Sequence, residues 1–85
     1  MIYSIEYAGS FDPKSLRKIT AEKQDEIERA IRTKLTVAPE TFGKPLRYSK
    51  KGCRSLRVGD YRVIFIIRAA VVIIVAVAHR AKVYH

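Results

Sequence analysis

The second half of the chain contains three consecutive segments that favour β-strands, and this order constrains the fold more than any other feature. Arg54 to Val58 is a predicted basic strand, and Gly59-Asp60 is typical of a two-residue hairpin turn. Tyr61 to Arg68 is the predicted antiparallel partner. Val71 to Ala78 is apolar on both faces and is predicted to be the central strand. The cationic side chains in this stretch are then carried on a rigid sheet.

The first half predicts one strand and two helices. Ile2 to Tyr7 is β-branched and aromatic, as in a strand. Asp12 before Pro13 predicts the start of a short helix that ends at about Ile19. Thr20 predicts the cap of a longer helix, which we expect to end between residues 37 and 39. Its apolar positions recur every four residues and give one buried face: Ile27, Ile31 and Leu35.

The predicted fold class is α+β, in one domain over residues 1–85. An N-terminal strand and a helical hairpin precede an antiparallel meander of three to four strands. The hairpin is expected to cover the sheet, because an amphipathic pair this short is not stable alone. Thr41 to Gly52 is predicted to be an exposed loop, since it is rich in turn residues and carries four basic side chains: Lys44, Arg47, Lys50 and Lys51.

The net charge of +9 lies entirely in the second half. Residues 1–40 hold seven basic and seven acidic side chains, whereas residues 41–85 hold ten basic side chains and one acid, Asp60. Such a one-sided field attracts polyanions, so nucleic acid, an acidic protein or both are the expected partners. A general contribution to solubility is the alternative, but it does not explain the balanced first half.

Cysteine content and hydropathy favour a cytoplasmic protein. Cys53 is the single cysteine, so an internal disulfide is impossible, and no leader pattern opens the sequence. The uncharged apolar run from Ala69 to Ala78 is too short for a membrane span, and no membrane association is expected.

Side-chain alternation along the predicted strands separates two faces of the sheet. Leu56 and Val58 share one face, which continues into the next strand and forms the predicted core with Tyr61, Val63, Phe65 and Ile67. The opposite face, called the open face below, then carries Cys53, Ser55, Arg57, Arg62 and Arg68.

The end of the last strand adds a predicted pocket to the open face. Ala76 and Ala78 share parity with Arg80, so two small side chains leave space beside a cation. A pocket with an alanine floor and an arginine rim suits a nucleotide. In a regular strand His79 points to the other face.

This order of elements resembles the RelE/ParE superfamily of bacterial and archaeal toxins. The resemblance rests on Gly52, on the block from Arg54 to Phe65, on Ala78-His79-Arg80 and on Val83-Tyr84. The RelE branch of this superfamily cleaves mRNA in the ribosomal A site and is held inactive by an antitoxin, whereas the ParE branch poisons DNA gyrase. We expect a RelE-like ribonuclease whose partners are an antitoxin, the ribosome and mRNA, with gyrase as the alternative partner. An inactive member that serves as a binding module is a further alternative.

The resemblance also implies the chemistry and its residues. A ribose 2′-hydroxyl attacks the adjacent phosphorus, and no metal or other cofactor is expected. Arg62 and Arg80 match the phosphate-binding arginines of the family, and Tyr84 matches the tail tyrosine beside the scissile nucleotide. His85 matches a histidine that some relatives place next to that tyrosine, and a terminal histidine without a fixed role is the alternative.

The sequence departs from the RelE pattern at the acid and the base. Cys53 and Ser55 stand where the lysine pair of bacterial RelE falls, so this part of the mechanism is not carried over. Nearby cations are candidate substitutes or RNA contacts, and together with the basic loop they complete the predicted RNA-binding set: Lys44, Arg47, Lys50, Lys51, Arg54 and Arg57.

Overall fold

The structure is a computed structural model that describes residues 2–47 and 52–83. Within these ranges, five strands form one sheet in the order β1-β5-β4-β3-β2. The antiparallel meander is confirmed by β3, β4 and β5, which pair in sequence. The strand bounds are β1 Ser4–Tyr7, β2 Lys44–Pro45, β3 Arg54–Val58, β4 Tyr61–Arg68 and β5 Val71–His79.

Helical segments precede β2 and follow β5. Pro13–Lys18 is a 3-10 helix that begins with Asp12, whose Oδ1 accepts from the Lys14 amide at 3.0 Å. Helix α1, Ala21–Ala30, begins with Thr20, whose Oγ1 accepts from the Lys23 amide at 3.2 Å. It continues through a π-helical turn, and two short helices follow later in the chain. Their bounds are Ile31–Leu35 for the π-helical turn, Pro39–Phe42 for α2 and Arg80–Val83 for α3.

The helices cover one face of the sheet, as predicted. Leu35, Val63, Phe65, Val72 and Ile74 are fully buried. Ile27 and Ile31 join them from the helical side, which confirms the four-residue apolar stripe. Each fully buried aliphatic or aromatic side chain contributes about 1.5–3 kcal/mol, so this single face provides most of the core.

Two expectations for the sheet and the loop need correction. The middle strand of the five is β4 and not β5, because β1 adds to the sheet beyond β5, with which it pairs in parallel. The predicted loop 41–52 contains the end of α2 and the edge strand β2. Parallel pairing and a two-residue strand leave no periodic pattern in the sequence, since both depend on contacts between distant residues.

A bulge interrupts β5 and switches its alternation. Ile64 pairs with Ala76, whereas Phe65 pairs with Ile74, so Val75 is an additional residue in β5. Val72 and Ile74 face the core before the bulge, and Val77 does so after it. A bulge of this kind re-aims the following side chains. Ala76 and Ala78 consequently face the open side, as predicted.

Gly43 allows α2 and β2 to approach the core closely. A Cβ atom at this position would lie 2.1 Å from the Phe65 ring and 3.0 Å from the Pro39 carbonyl oxygen. The edge strand therefore depends on the absence of a side chain at residue 43. Tyr3 adds a second connection, because its hydroxyl donates to Glu40 at 3.1 Å. This hydrogen bond raises the pKa of Tyr3, and partial burial and the Glu40 charge act in the same direction.

No helix of the described residues is long and apolar enough to cross a bilayer.

The two hairpin turns of the meander give a matched test of backbone strain. The first central residue has a positive φ in both turns, 61° at Gly59 and 53° at Ala69. An alanine in this region is strained by about 1–2 kcal/mol. Part of this cost is offset because alanine loses less backbone entropy on folding than glycine does. We expect Ala69→Gly to increase the free energy of unfolding by about 0.5–1 kcal/mol and Gly59→Ala to decrease it similarly. Urea denaturation of both variants measures this. If both substitutions changed the free energy of unfolding in the same direction, the positive φ at Ala69 would not be the source of strain.

Candidate nucleic-acid interface

Two arginines lie directly opposite each other on the open face. Arg57 of β3 and Arg62 of β4 are Cα partners in the antiparallel register, and Ala78 of β5 is the next partner in the same row. Arg57 is exposed and Arg62 is half-buried. Like charges at paired positions destabilise a sheet, so an anion bound between them would relieve their repulsion. The predicted alanine floor lies at Ala78, beside this pair.

Arg80 lies at the same end of the sheet. Its backbone N–H donates to the Asp60 carbonyl at 2.8 Å, and its Nε lies 3.6 Å from Asp60 Oδ1. Arg57 is held at the same turn, because its Nε donates to the Gly59 carbonyl at 3.2 Å. The ion pair between Arg80 and Asp60 is more than half exposed on both sides, and such pairs are weak enough to exchange for a ligand. Arg57, Arg62 and Arg80 are called the arginine cluster below.

Lys44 and Ser55 form the adjacent row of the open face. They are Cα partners between β2 and β3, and the row continues through Ile64 to Ala76. It lies two residues, or about 7 Å, from the row of Arg57 and Arg62. Lys44 is exposed, whereas Ser55 is 6% exposed and its hydroxyl has no hydrogen-bond partner among the described residues. Alternation predicted the face of Ser55 but gave no indication that its hydroxyl is buried.

Arg54 lies on the helix-covered face and not with the other candidates. It pairs with Phe65, and its guanidinium donates to the Gly43 carbonyl at 2.9 Å and to the Glu40 carbonyl at 3.5 Å. Arg54 shares parity with Leu56 and Val58, so its place followed from alternation. Its local role is to bind the carbonyl end of α2, a favourable position for a cation.

The remaining predicted site residues are not brought together by the described structure. Arg47 is an exposed turn residue after β2. Arg68 shares the open face with Arg62 but lies six residues, or about 20 Å, along β4. Four predicted residues lie outside the described ranges, namely Lys50, Lys51, Tyr84 and His85. His79 pairs with Tyr61 and their rings meet edge to face at 5.5 Å, so it lies on the helix-covered side, as the parity predicted.

A cleft on that side was missed by the sequence reasoning. It has a volume of about 450 Å³ and lies between the 3-10 helix and the end of β5. The cationic residues that line it belong to residues 1–40, whose net charge is zero. The net charge of that half therefore gave no indication of a local basic site. The relevant signal is local: Lys14 and Lys18 are close together in a segment that contacts β5.

Comparison with known proteins identifies the class. Residues 12–84 match the family described as the ParE toxin of the type II toxin–antitoxin system parDE. The match includes both the arginine cluster and the helical segments that position it. The chain therefore belongs to this toxin family, within the RelE/ParE superfamily, which confirms the resemblance. The curated proteins include no match to the chain.

Solved structures share the fold over nearly the entire chain. The toxin–antitoxin complex RelBE2 from Mycobacterium tuberculosis contains a chain with 27% identity and a TM-score of 0.81, and the similarity covers 96% of this chain and 95% of that one. YafQ from E. coli has 24% identity and a TM-score of 0.63, with 98% and 99% covered. The archaeal RelE-RelB complex from Pyrococcus horikoshii has 21% identity and a TM-score of 0.62, with 96% and 99% covered. The latter two similarities support the α+β fold alone.

The different surroundings of Arg54 and Arg57 predict different effects of substitution. Arg54→Gln should reduce the free energy of unfolding by about 1–3 kcal/mol, because the Gly43 and Glu40 carbonyls lose a charged donor. Arg57→Gln should cost less than about 1 kcal/mol, since the lost hydrogen bond is offset by the loss of repulsion with Arg62. Urea denaturation measures both variants. A larger loss for Arg57→Gln than for Arg54→Gln would contradict these roles.

Proposed function

We propose that this type II toxin is a ribosome-dependent endoribonuclease that cleaves mRNA in the cytoplasm. The observation that carries the proposal is the arginine cluster at the Gly59-Asp60 end of the sheet. Arg57 and Arg62 share a row with the small residue Ala78, and Arg80 lies at the same end of the sheet, so we propose that one phosphate of an RNA strand binds here. Lys44 in the adjacent row extends this positive surface along the direction of the strands.

In this proposal the arginine cluster stabilises charge on the phosphate. The ribose 2′-oxygen forms a bond to phosphorus while the bond from phosphorus to the 5′-oxygen breaks, which leaves a 2′,3′-cyclic phosphate and a 5′-hydroxyl. Negative charge increases on the non-bridging oxygens during this step. Arg62 is half-buried on a strand and is therefore held rigidly, so it contributes preorganised charge. Arg80 releases its ion pair with Asp60 and binds the phosphate instead.

We assign one of the two proton transfers, that of the acid, to the C-terminal segment that holds Tyr84 and His85. A base accepts the proton of the 2′-hydroxyl, and an acid donates a proton to the leaving 5′-oxygen. We propose His85 as the acid, because a histidine titrates near neutral pH, and Tyr84 as the aromatic contact of the scissile nucleotide. No described residue is assigned as the base.

The open face also supports the proposal of an antitoxin as partner. Beyond the arginine cluster it presents half-buried apolar side chains on β4 and β5: Ile64, Ile66, Val71 and Ile73. An amphipathic segment with acidic residues would cover these side chains and pair with the arginines. Such a segment would compete directly with RNA. RelBE2 is described as a toxin–antitoxin complex, and the archaeal RelE is described in complex with RelB.

Poisoning of DNA gyrase is the second candidate function, and the ParE description of the matching family favours it. The same fold supports both activities, so only their products separate them. The deciding experiment is induction of the toxin in cells, followed by mapping of mRNA ends and of gyrase-linked DNA breaks. Codon-phased mRNA ends are expected. Intact mRNA with gyrase-linked breaks would overturn the ribonuclease proposal.

Replacement of single arginines tests the arginine cluster. Arg62→Gln and Arg80→Gln should each slow mRNA cleavage by about 10²–10³, because each removes a charge that acts on the developing phosphate charge. Arg68→Gln is the matched control, since Arg68 lies on the same strand and face about 20 Å away. Single-turnover cleavage on programmed ribosomes measures the rates.

The outcome depends on the difference between these positions. Equal rates for Arg62→Gln, Arg80→Gln and the native toxin would exclude the arginine cluster as the phosphate site. An equal loss for Arg68→Gln would indicate a general effect of net charge. Circular dichroism verifies that each variant is folded.

The tail prediction separates stacking from proton transfer. Tyr84→Phe should retain most of the cleavage rate, whereas Tyr84→Ala should not, because only the former keeps the area of the ring. His85→Gln should slow cleavage and flatten its pH dependence near neutrality. Rates measured between about pH 5.5 and pH 8.5 report both effects. An unchanged pH profile for His85→Gln would remove His85 as the acid.

A further inference from the structure

The cleft on the helix-covered side is a separate concave surface with its own chemistry. Its volume of about 450 Å³ lies within the range of small-molecule sites, about 300–1,000 Å³. A second cleft, between α1 and the segment that precedes it, is lined partly by the core residues Ile27, Ile31 and Val77 and has about 90 Å³. None of the three arginines of the cluster lines the larger cleft, although Ala78, the floor of that cluster, does.

One wall of this cleft is aromatic and the floor is apolar. Tyr61 and His79 pair across β4 and β5 with their rings edge to face at 5.5 Å. The floor is formed by the buried side chains of Ile19 and Val77. A flat aromatic group of a ligand would find both ring contacts and apolar area here.

A hydrogen bond sets the polarity of His79. The backbone N–H of Ala81 donates to His79 Nδ1 at 3.2 Å, so Nδ1 is an acceptor and the ring proton belongs to Nε2. Nε2 is thus available as a donor on the other edge of the ring. This arrangement is fixed by the start of α3, directly after β5.

The opposite wall is formed by the 3-10 helix and is positively charged. Lys14 and Lys18 line the cleft and are exposed. Asp12 also lines it, but one of its oxygens already accepts from the Lys14 amide, and Ser15 Oγ donates to the Asp12 carbonyl at 2.7 Å. The formal charge of the lining is therefore +1, with two ammonium groups opposite an aromatic wall.

From this arrangement we infer that the cleft binds a nucleotide, with its phosphate at Lys14 and Lys18 and its base against Tyr61 and His79. Ammonium groups bind phosphate as point charges, and aromatic rings bind bases of any sequence. Two sources share this chemistry, namely a free mononucleotide and one nucleotide of an RNA strand. The inference does not depend on cleavage, because no residue of the arginine cluster lines the cleft.

The test is an NMR titration of the full chain carrying Arg62→Gln, in which cleavage is expected to be slowed. The probes are the four nucleoside monophosphates, inorganic phosphate and a 2′-O-methyl RNA tetranucleotide. The expected result is a shift of the Ser15, Tyr61 and His79 signals with a nucleotide, and a weaker response to phosphate alone. Lys14→Gln combined with Lys18→Gln should raise Kd at least about fivefold, the value for two exposed charge contacts.

Matched variants keep the test specific. Arg17→Gln combined with Lys23→Gln removes two charges from the same helical region outside the cleft, and should change Kd less than about twofold. Tyr61→Leu should weaken nucleotide binding but not phosphate binding, since it removes the aromatic wall. A tetranucleotide that binds about tenfold more tightly than a mononucleotide identifies RNA as the source, and equal affinities identify a free nucleotide.

Three results would overturn the inference. They are shifts confined to the open face, an equal response to phosphate and nucleotide, and an equal effect of the lysine and control variants. If the toxin cleaves mRNA but gives any of these three results, only the inference that the cleft binds a nucleotide is refuted. A toxin that binds nucleotides here but leaves mRNA intact would refute only the ribonuclease proposal.

Discussion

One-sided burial of β3, β4 and β5 is the constraint on which the rest of the structure depends. Leu56, Val63, Phe65 and Ile74 are buried against the helices, and a strand cannot bury one set of alternate residues without turning the other set outward. Arg57 and Arg62 thus face each other because their neighbours form the core. A shift of one residue in register would bury these charges, so the stability of the core also fixes the arginine pair.

The parts of the fold that depend on local periodicity could be predicted from the sequence. Ile27, Ile31 and Leu35 indicated the buried side of the long helix, and alternation indicated the faces of Val63 and Arg62. Alternation also placed Arg54 on the helix side. Arg54 was nevertheless predicted to contact RNA, because the second half of the chain is strongly basic. Its acceptors, the Gly43 and Glu40 carbonyls, belong to a helix that the sequence did not indicate.

Features that depend on contacts between distant residues could not be predicted. The parallel pairing of β1 with β5 joins residues near opposite ends of the chain. β2 has only two residues and lies between Gly43 and a turn, a composition typical of a loop. The cleft of Lys14 and His79 forms only when the 3-10 helix lies against the end of β5. The candidate site was therefore predicted where it follows one strand, and missed where two distant segments meet.

The bulge at Val75 has a consequence for how this sequence can vary. Because β5 contains one additional residue, its first half and its second half obey opposite parities. A regular strand that kept Val75 without a bulge would place Val77 and His79 beside Arg62 and would turn Ala76 and Ala78 towards the helices. The floor of the arginine cluster would then be filled by larger side chains, and the core would lose volume at the same time. The bulge thus decides which side chains of β5 reach each face, and an inserted or deleted residue is tolerated better in the turns than within this strand, except where the bulge itself absorbs the change.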